Sequence, residues 1–172
     1  MVLLIEPEAV RTPRLTLLPL EVGHAEEMAV VLGDPELHVF IGGEPLGVDR
    51  LRARYERLVA GSPDPGVLWG NWVVRLDAER CLTGTVQATV TGEGDTATAE
   101  LAWVVGTAWQ GHGIATEAAR GLAAWLAARG VRHLLAHVHP DHRASAAIAA
   151  AVGLTPTEHR QDGEIRWEWT AR

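Results

Sequence analysis

Three strand-like runs follow one another with only turn-length connections: "LWGNWVVRLDA" (68–78), "RCLTGTVQATVTG" (80–92) and "ATAELAWVVG" (97–106). They are rich in valine, threonine and tryptophan, the residues that suit a pleated, half-buried surface. The joining segments, Asp77–Arg80 and "GEGD", are turn chemistry and little else. Connections this short join antiparallel neighbours, so the centre of the chain is expected to be an antiparallel meander.

Helix and strand periods alternate around it. "RLTLLPL" (14–20) reads as a strand and "HAEEMAVVLGD" (24–34) as a helix ending near Gly33. Residues 35–47, with glycines and prolines, read as loop or short helix. "VDRLRARYERLVAG" (48–61) puts Leu51, Tyr55 and Leu58 on one stripe, with Asp49 placed to cap its start. "GIATEAARGLAAWLAARG" (113–130) is the clearest helix: Ile114, Ala118, Leu122, Trp125 and Leu126 share a face, and Gly130 can terminate it. A strand (131–140), a helix closed by Gly153 (142–153) and a hairpin around "QDG" complete the chain. The expected fold class is α/β in the mixed α+β sense. It comprises one domain over residues 1–172, with a mostly antiparallel twisted sheet and helices on both faces.

Composition narrows the function classes. At 172 residues and 47% hydrophobic the chain can bury a real core. No apolar run approaches the roughly 20 residues of a membrane span. "MVLLIEPEAV" lacks the basic start of a signal peptide, so a cytoplasmic protein is expected, without a membrane partner. A formal net charge of -7 argues against a nucleic-acid partner and suits a cationic one such as an amine, although solubility alone would also explain it. All 15 basic residues are arginine, a pattern of coding bias more than of function. The single cysteine, Cys81, lies in a strand-like run and is expected to be a small buried side chain.

"WQGHGIATEAA" (109–119) sets glycines directly before the clearest helix, the arrangement that holds a phosphate on free helix N-terminal amides. Three phosphate sites compete for it. A dinucleotide fingerprint fails because Thr116 stands at the third glycine position. A nucleoside-triphosphate loop fails because the chain has no lysine. The pattern Q/R-x-x-G-x-G/A is met by Gln110, Gly113 and Ala115; Gly111 and Gly113 permit unusual dihedrals and close approach. A glycine-rich turn that merely caps a core helix would look the same.

Together with "HPDHRASAAIAAAVGL" beyond the next strand, and "TPRLTLLPL" near the start, "ELAWVVGTAWQGHGIATEA" resembles the GNAT superfamily of acetyl-CoA-dependent N-acetyltransferases. The resemblance is to the branch that acetylates N-terminal amines of ribosomal proteins. It implies a strand, carrying Trp103, Val104 and Val105, splayed from its neighbour by a bulge. The pantetheine arm of acetyl-CoA would lie in that V, and a backbone N–H there would stabilise the oxyanion at the thioester carbonyl. The amides of Gly111, His112, Gly113, Ile114, Ala115 and Thr116 would hold the pyrophosphate, and protonated His112 could add a charge-assisted contact or point to solvent.

The same resemblance makes Ser145, in Pro140–Asp141–His142–Arg143–Ala144–Ser145, the proton donor to the departing thiolate; a helix residue bonding backbone is the plainer alternative. His142 stands where relatives carry an asparagine that touches the pantetheine, which changes the reach of that contact. An attacking amine must be neutral. Glu100, on the splayed strand, is the candidate base acting through water, a salt-bridged strand glutamate being the alternative.

His133, His137, His139 and His142 raise a metal alternative, but zinc needs three or four converging ligands. On a strand, His133, His137 and His139 would share one face, which must also carry Leu135, and no metal is expected. Of seven tryptophans, Trp125 lies on the core stripe, and Trp69, Trp72, Trp167 and Trp169 are strand residues. One or two could face an amine by cation–π contact. Specificity for the acceptor is expected to lie in residues 34–61 and the final hairpin. The chain is thus expected to move acetyl directly from acetyl-CoA to a primary amine, with no covalent enzyme intermediate. A peptide N-terminus is the favoured acceptor. Small-molecule amines of the antibiotic or polyamine type, and a non-catalytic acyl-CoA-binding module, are the alternatives, and a homodimer is left open.

Overall fold

The computed structural model describes residues 5–170. The meander is present as β3 (Val67–Leu76), β4 (Cys81–Thr91) and β5 (Thr98–Val105), all antiparallel. β2 (Leu15–Pro19) pairs with β3, and the two-residue β1 (Val10–Arg11) extends that edge. On the other side, β6 (His133–Val138) joins β5 in parallel, and β7 (Thr155–Gln161) and β8 (Glu164–Thr170) form the final hairpin. β8, not β7, pairs with β6, giving the sheet order β1-β2-β3-β4-β5-β6-β8-β7.

Helices cover both faces. α4 (Ile114–Ala128) and α5 (Arg143–Val152) close one, where Leu122 and Leu126 pack with Leu15, Leu17, Trp72 and Leu101. Each buried leucine contributes about 2 kcal/mol by removal from water. α1 (Ala25–Val31) and α3 (Val48–Ala60) close the other, where Met28, Leu51 and Tyr55 pack on Val73 and Leu82. The 35–47 segment holds one turn of 3-10 helix and the short α2 (His38–Ile41). Gly47, not Asp49, is the N-cap of α3. The helix begins at Val48, so Asp49 falls inside the first turn and pairs with Arg52 at 3.0 Å instead.

The feature that positions the site is a parting of strands. β5 pairs with β6 only at Thr98↔His133, Ala99↔Leu134 and Glu100↔Leu135. From there β5 stays with β4 as far as Val105, and β6 stays with β8 as far as Val138. One edge of Leu101–Val105 is thereby left without a sheet partner among the described residues. The expected bulge on β5 is not what opens it. The β4–β5 register is unbroken, and the register shift lies between Val74 and Arg75 in the β3–β4 pair. The V forms because each strand keeps a different neighbour. Gly84 holds β5 tightly on its β4 side: a Cβ there would sit 2.1 Å from the Val104 carbonyl oxygen.

Candidate active site

A cavity of about 410 Å³ occupies the V. Its strand wall is Trp103, Val104 and Val105. Its second wall is the glycine loop with Gln110, Gly111 and Gly113, continued by Ile114, Ala115 and Thr116 of α4. α5 supplies His142 and Ser145.

The loop is built to expose amides. Gly113, at φ 75°, is the N-cap of α4 and offers no side-chain cap. The first intrahelical bond runs from Glu117 N–H to the Gly113 carbonyl, so the amides of Ile114, Ala115 and Thr116 precede the ladder. With the positive end of a 15-residue helix behind them, these free amides could hold an anion. Gln110 turns inward, its amide donating to the Val105 carbonyl at 3.1 Å, and ties the loop to the strand end. His112 does not line the cavity; its side chain is exposed, and its carbonyl accepts from Arg14 Nη1 at 2.9 Å.

That arginine anchors a clamp that sequence reading overlooked. Arg14 Nε donates to Glu117 Oε1 at 2.7 Å, and the Arg14 backbone N–H donates to Oε2 at 2.9 Å. The Thr12 hydroxyl also donates to Oε2. Burial works to raise the Glu117 carboxyl, but these bonds hold it below the usual carboxylate range. The start of β2 is thus pinned to the first turns of α4. "TPRL" carried the only sequence trace of it.

Ser145 is in the first turn of α5 and does not cap it. Its Oγ accepts from the Trp103 indole N–H at 3.3 Å, and both residues line the cavity. A hydroxyl that accepts there keeps its own proton available to donate. His142 stacks on Phe40, with centroids 4.3 Å apart and planes 7° apart. Burial, then the neighbouring His139, holds its pKa below the ordinary histidine value.

Glu100 lines neither this cavity nor the next. It stands two residues before Ala102, on the same face of β5. Its carboxylate accepts from His137 Nδ1 at 2.7 Å, and the largely buried His137 ring receives Arg166 Nε at 3.4 Å on Nε2. A carboxylate only accepts and a guanidinium only donates, so the His137 proton belongs on Nδ1. The other histidines disperse: His133 meets Thr170, and His139 meets Phe40 and Asp141. Among the described residues no group of three or more His, Cys, Asp or Glu could hold a metal ion. Cys81, at the start of β4, is half-buried rather than in the core. Burial, then Glu79 and Glu27, raises its pKa, which keeps it a thiol away from both cavities.

A second cavity, also about 410 Å³, opens on the α1/α3 side of the sheet. It shares Leu37, Ile41, Trp103 and Val104 with the first, so the two meet across β5.

Comparison with known proteins agrees with this geometry. The chain resembles a GNAT-family acetyltransferase from Bacillus anthracis, with TM-score 0.76 and 17% identity, covering 94% of this chain and 98% of that one. It resembles the microcin C7 self-immunity acetyltransferase MccE, solved with acetyl-CoA and AMP (TM-score 0.75, 17% identity, coverage 93% and 94%). A third likeness is to the Salmonella typhimurium acetyltransferase that modifies the N-terminal serine of 50S ribosomal protein L7/L12 (TM-score 0.75, 14% identity, coverage 96% and 100%). No curated protein matches the chain by sequence. The model of the acetyltransferase (GNAT) domain matches residues 14–155, and the chain therefore belongs to the GNAT family of acetyltransferases, whose acetyl donor is acetyl-CoA.

Proposed function

We propose that this protein transfers the acetyl group of acetyl-CoA directly to the N-terminal amine of a protein or peptide, within a ternary complex. The observation that carries the reading is the junction of two cavities at Trp103 and Val104, beside Ser145. One cavity has the anion-binding helix terminus; the other is free to receive an acceptor on the far side of the same strand. The likeness to an acetyltransferase of a ribosomal-protein N-terminus supports the peptide amine.

The cavity fits the donor. The pyrophosphate would meet the amides of Gly111 to Thr116, and the pantetheine would run along the unpaired edge of β5. The thioester supplies an activated acetyl carbonyl. Along that edge of β5 the backbone groups of Trp103 and Val105 point away from β4, whereas those of Val104 are turned into the β4 ladder; an N–H of the outward pair would meet the carbonyl oxygen and stabilise developing negative charge. Glu100 takes the proton of the attacking amine through water, and His137 fixes the orientation of its carboxylate. As the C–N bond forms and the C–S bond breaks, Ser145 donates its hydroxyl proton to the departing sulfur and takes one back from solvent, with Trp103 holding its oxygen.

The test is release of free CoA thiol from acetyl-CoA with a panel of peptides and small amines. Turnover with peptide N-termini is expected. Tight acetyl-CoA binding without thiol release across the panel would instead make the protein an acyl-CoA-binding module.

A further inference from the structure

The second cavity has a composition that selects among amines. Its wall is aliphatic: Leu20, Leu32, Leu46, Leu51 and Leu58 line it, together with Ile41. Its formal charges are one carboxylate, Glu44, and one guanidinium, Arg54, both on exposed residues; His38 lines it too. The chain carries a net charge of -7, yet that acidity is not gathered here. A polycation such as a polyamine or aminoglycoside needs several carboxylates to replace its water, and this cavity has one. An apolar group of moderate size gains about 25 cal/mol for each Å² it buries on such a wall.

The polar atoms are few and arranged in a band. Asn71 faces Gln87 across β3 and β4, and Thr85 faces Val104 across β4 and β5. All four line the cavity. Tyr55 lines it from α3, is 3% exposed, and has a hydroxyl with no hydrogen-bond partner among the described residues. Burial pushes its pKa up to about 12, so the hydroxyl keeps its proton. A buried donor left unpaired is destabilising, and such a group persists where a ligand completes it.

We propose that the acceptor is a monoamine bearing an apolar side chain next to an amide carbonyl, with the side chain on the leucine wall and the carbonyl accepting from Tyr55. This deepens the N-terminal-amine reading and rests on it. The chemistry is shared by a polypeptide that begins with a residue such as leucine or phenylalanine and by a free amino-acid amide.

The test uses the intact protein with saturating acetyl-CoA and peptides differing only in their first residue: Leu, Phe, Ser or Asp. Leucinamide and spermidine are run beside them. The Leu and Phe peptides should exceed the Ser and Asp peptides in kcat/KM by about tenfold to a hundredfold, and spermidine should stay at background. A leucinamide rate matching the Leu peptide assigns a small-molecule source, and a much lower one a polypeptide source. Preference for Ser, Asp or spermidine overturns the proposal. Tyr55→Phe should raise KM for the Leu peptide about fivefold, leave KM for acetyl-CoA unchanged and not lower Tm; an unchanged peptide KM overturns the tyrosine's assignment. If no amine is turned over, the transferase reading falls, and calorimetry of leucinamide on the protein decides the pocket separately. Absence of binding then overturns the proposal as well.

Discussion

Ser145 and Trp103 show how one contact can separate two roles for a residue. A serine in the first turn of a helix commonly bonds backbone. Here its oxygen instead accepts from an indole that also lines the cavity. If the hydroxyl protonates the leaving thiolate, Ser145→Ala should lower kcat about a hundredfold, with KM for acetyl-CoA changed little. Trp103→Phe keeps the hydroxyl but removes the group that orients it, and should lower kcat less, about tenfold. The measurement is steady-state thiol release for both variants; unchanged kcat in Ser145→Ala removes the serine from the chemistry. Neither the contact nor the orphan hydroxyl of Tyr55 could be read from the sequence. Trp103 and Ser145 are 42 positions apart, and a missing partner leaves no pattern.

At the level of elements, the loop before α4 depends on β2. Arg14 and Glu117, 103 positions apart, join the two. Glu117→Gln should loosen Arg14 from the His112 carbonyl and raise KM for acetyl-CoA about tenfold, through disorder of the phosphate-binding amides. With S-acetyl-N-acetylcysteamine, a thioester without a pyrophosphate, the variant should match the wild type. The same carboxyl sets a pH dependence. Its folded pKa lies below its ordinary value of 4.5, so its contribution to stability is present above that value. The contribution is lost as pH falls through the folded pKa. Urea melts of wild type and Glu117→Gln should therefore differ most at neutral pH and converge in acid. A gap that widens in acid would refute the clamp.

The elements themselves were mostly legible. The meander, α4, α5 and the last hairpin carry strong periods bounded by glycine or turn residues, and the glycine loop marked the start of α4. β1 was too short to leave a period. Asp49 misled because a capping residue type one turn into a helix looks like a cap. The V was inferred by resemblance, but its cause was not legible: whether a strand keeps one neighbour or another is decided by non-local pairing. Of the two expectations for the His112 side chain, the exposed one is what the structure shows, while its carbonyl is held by Arg14.

At the scale of the molecule, the two cavities bear on the proposed order of events. They enter from different sides of the sheet and meet at Trp103 and Val104. Neither is lined by a cysteine, and the one thiol, Cys81, has its pKa raised by burial. A relay through an acyl-enzyme would need an activated nucleophile between donor and acceptor. Among the described residues Ser145 has no base in hydrogen-bond contact, only an indole donor, so it is not activated for attack. Direct transfer, as proposed, then has donor and acceptor present together. Double-reciprocal plots of initial rate against acetyl-CoA, at several fixed acceptor concentrations, should intersect. Parallel lines, with acetyl remaining on the protein after brief exposure to acetyl-CoA alone, would require a covalent relay and overturn direct transfer. Intersecting lines with CoA competitive against acetyl-CoA, but not against the acceptor, would support separate cavities for the two substrates, as proposed.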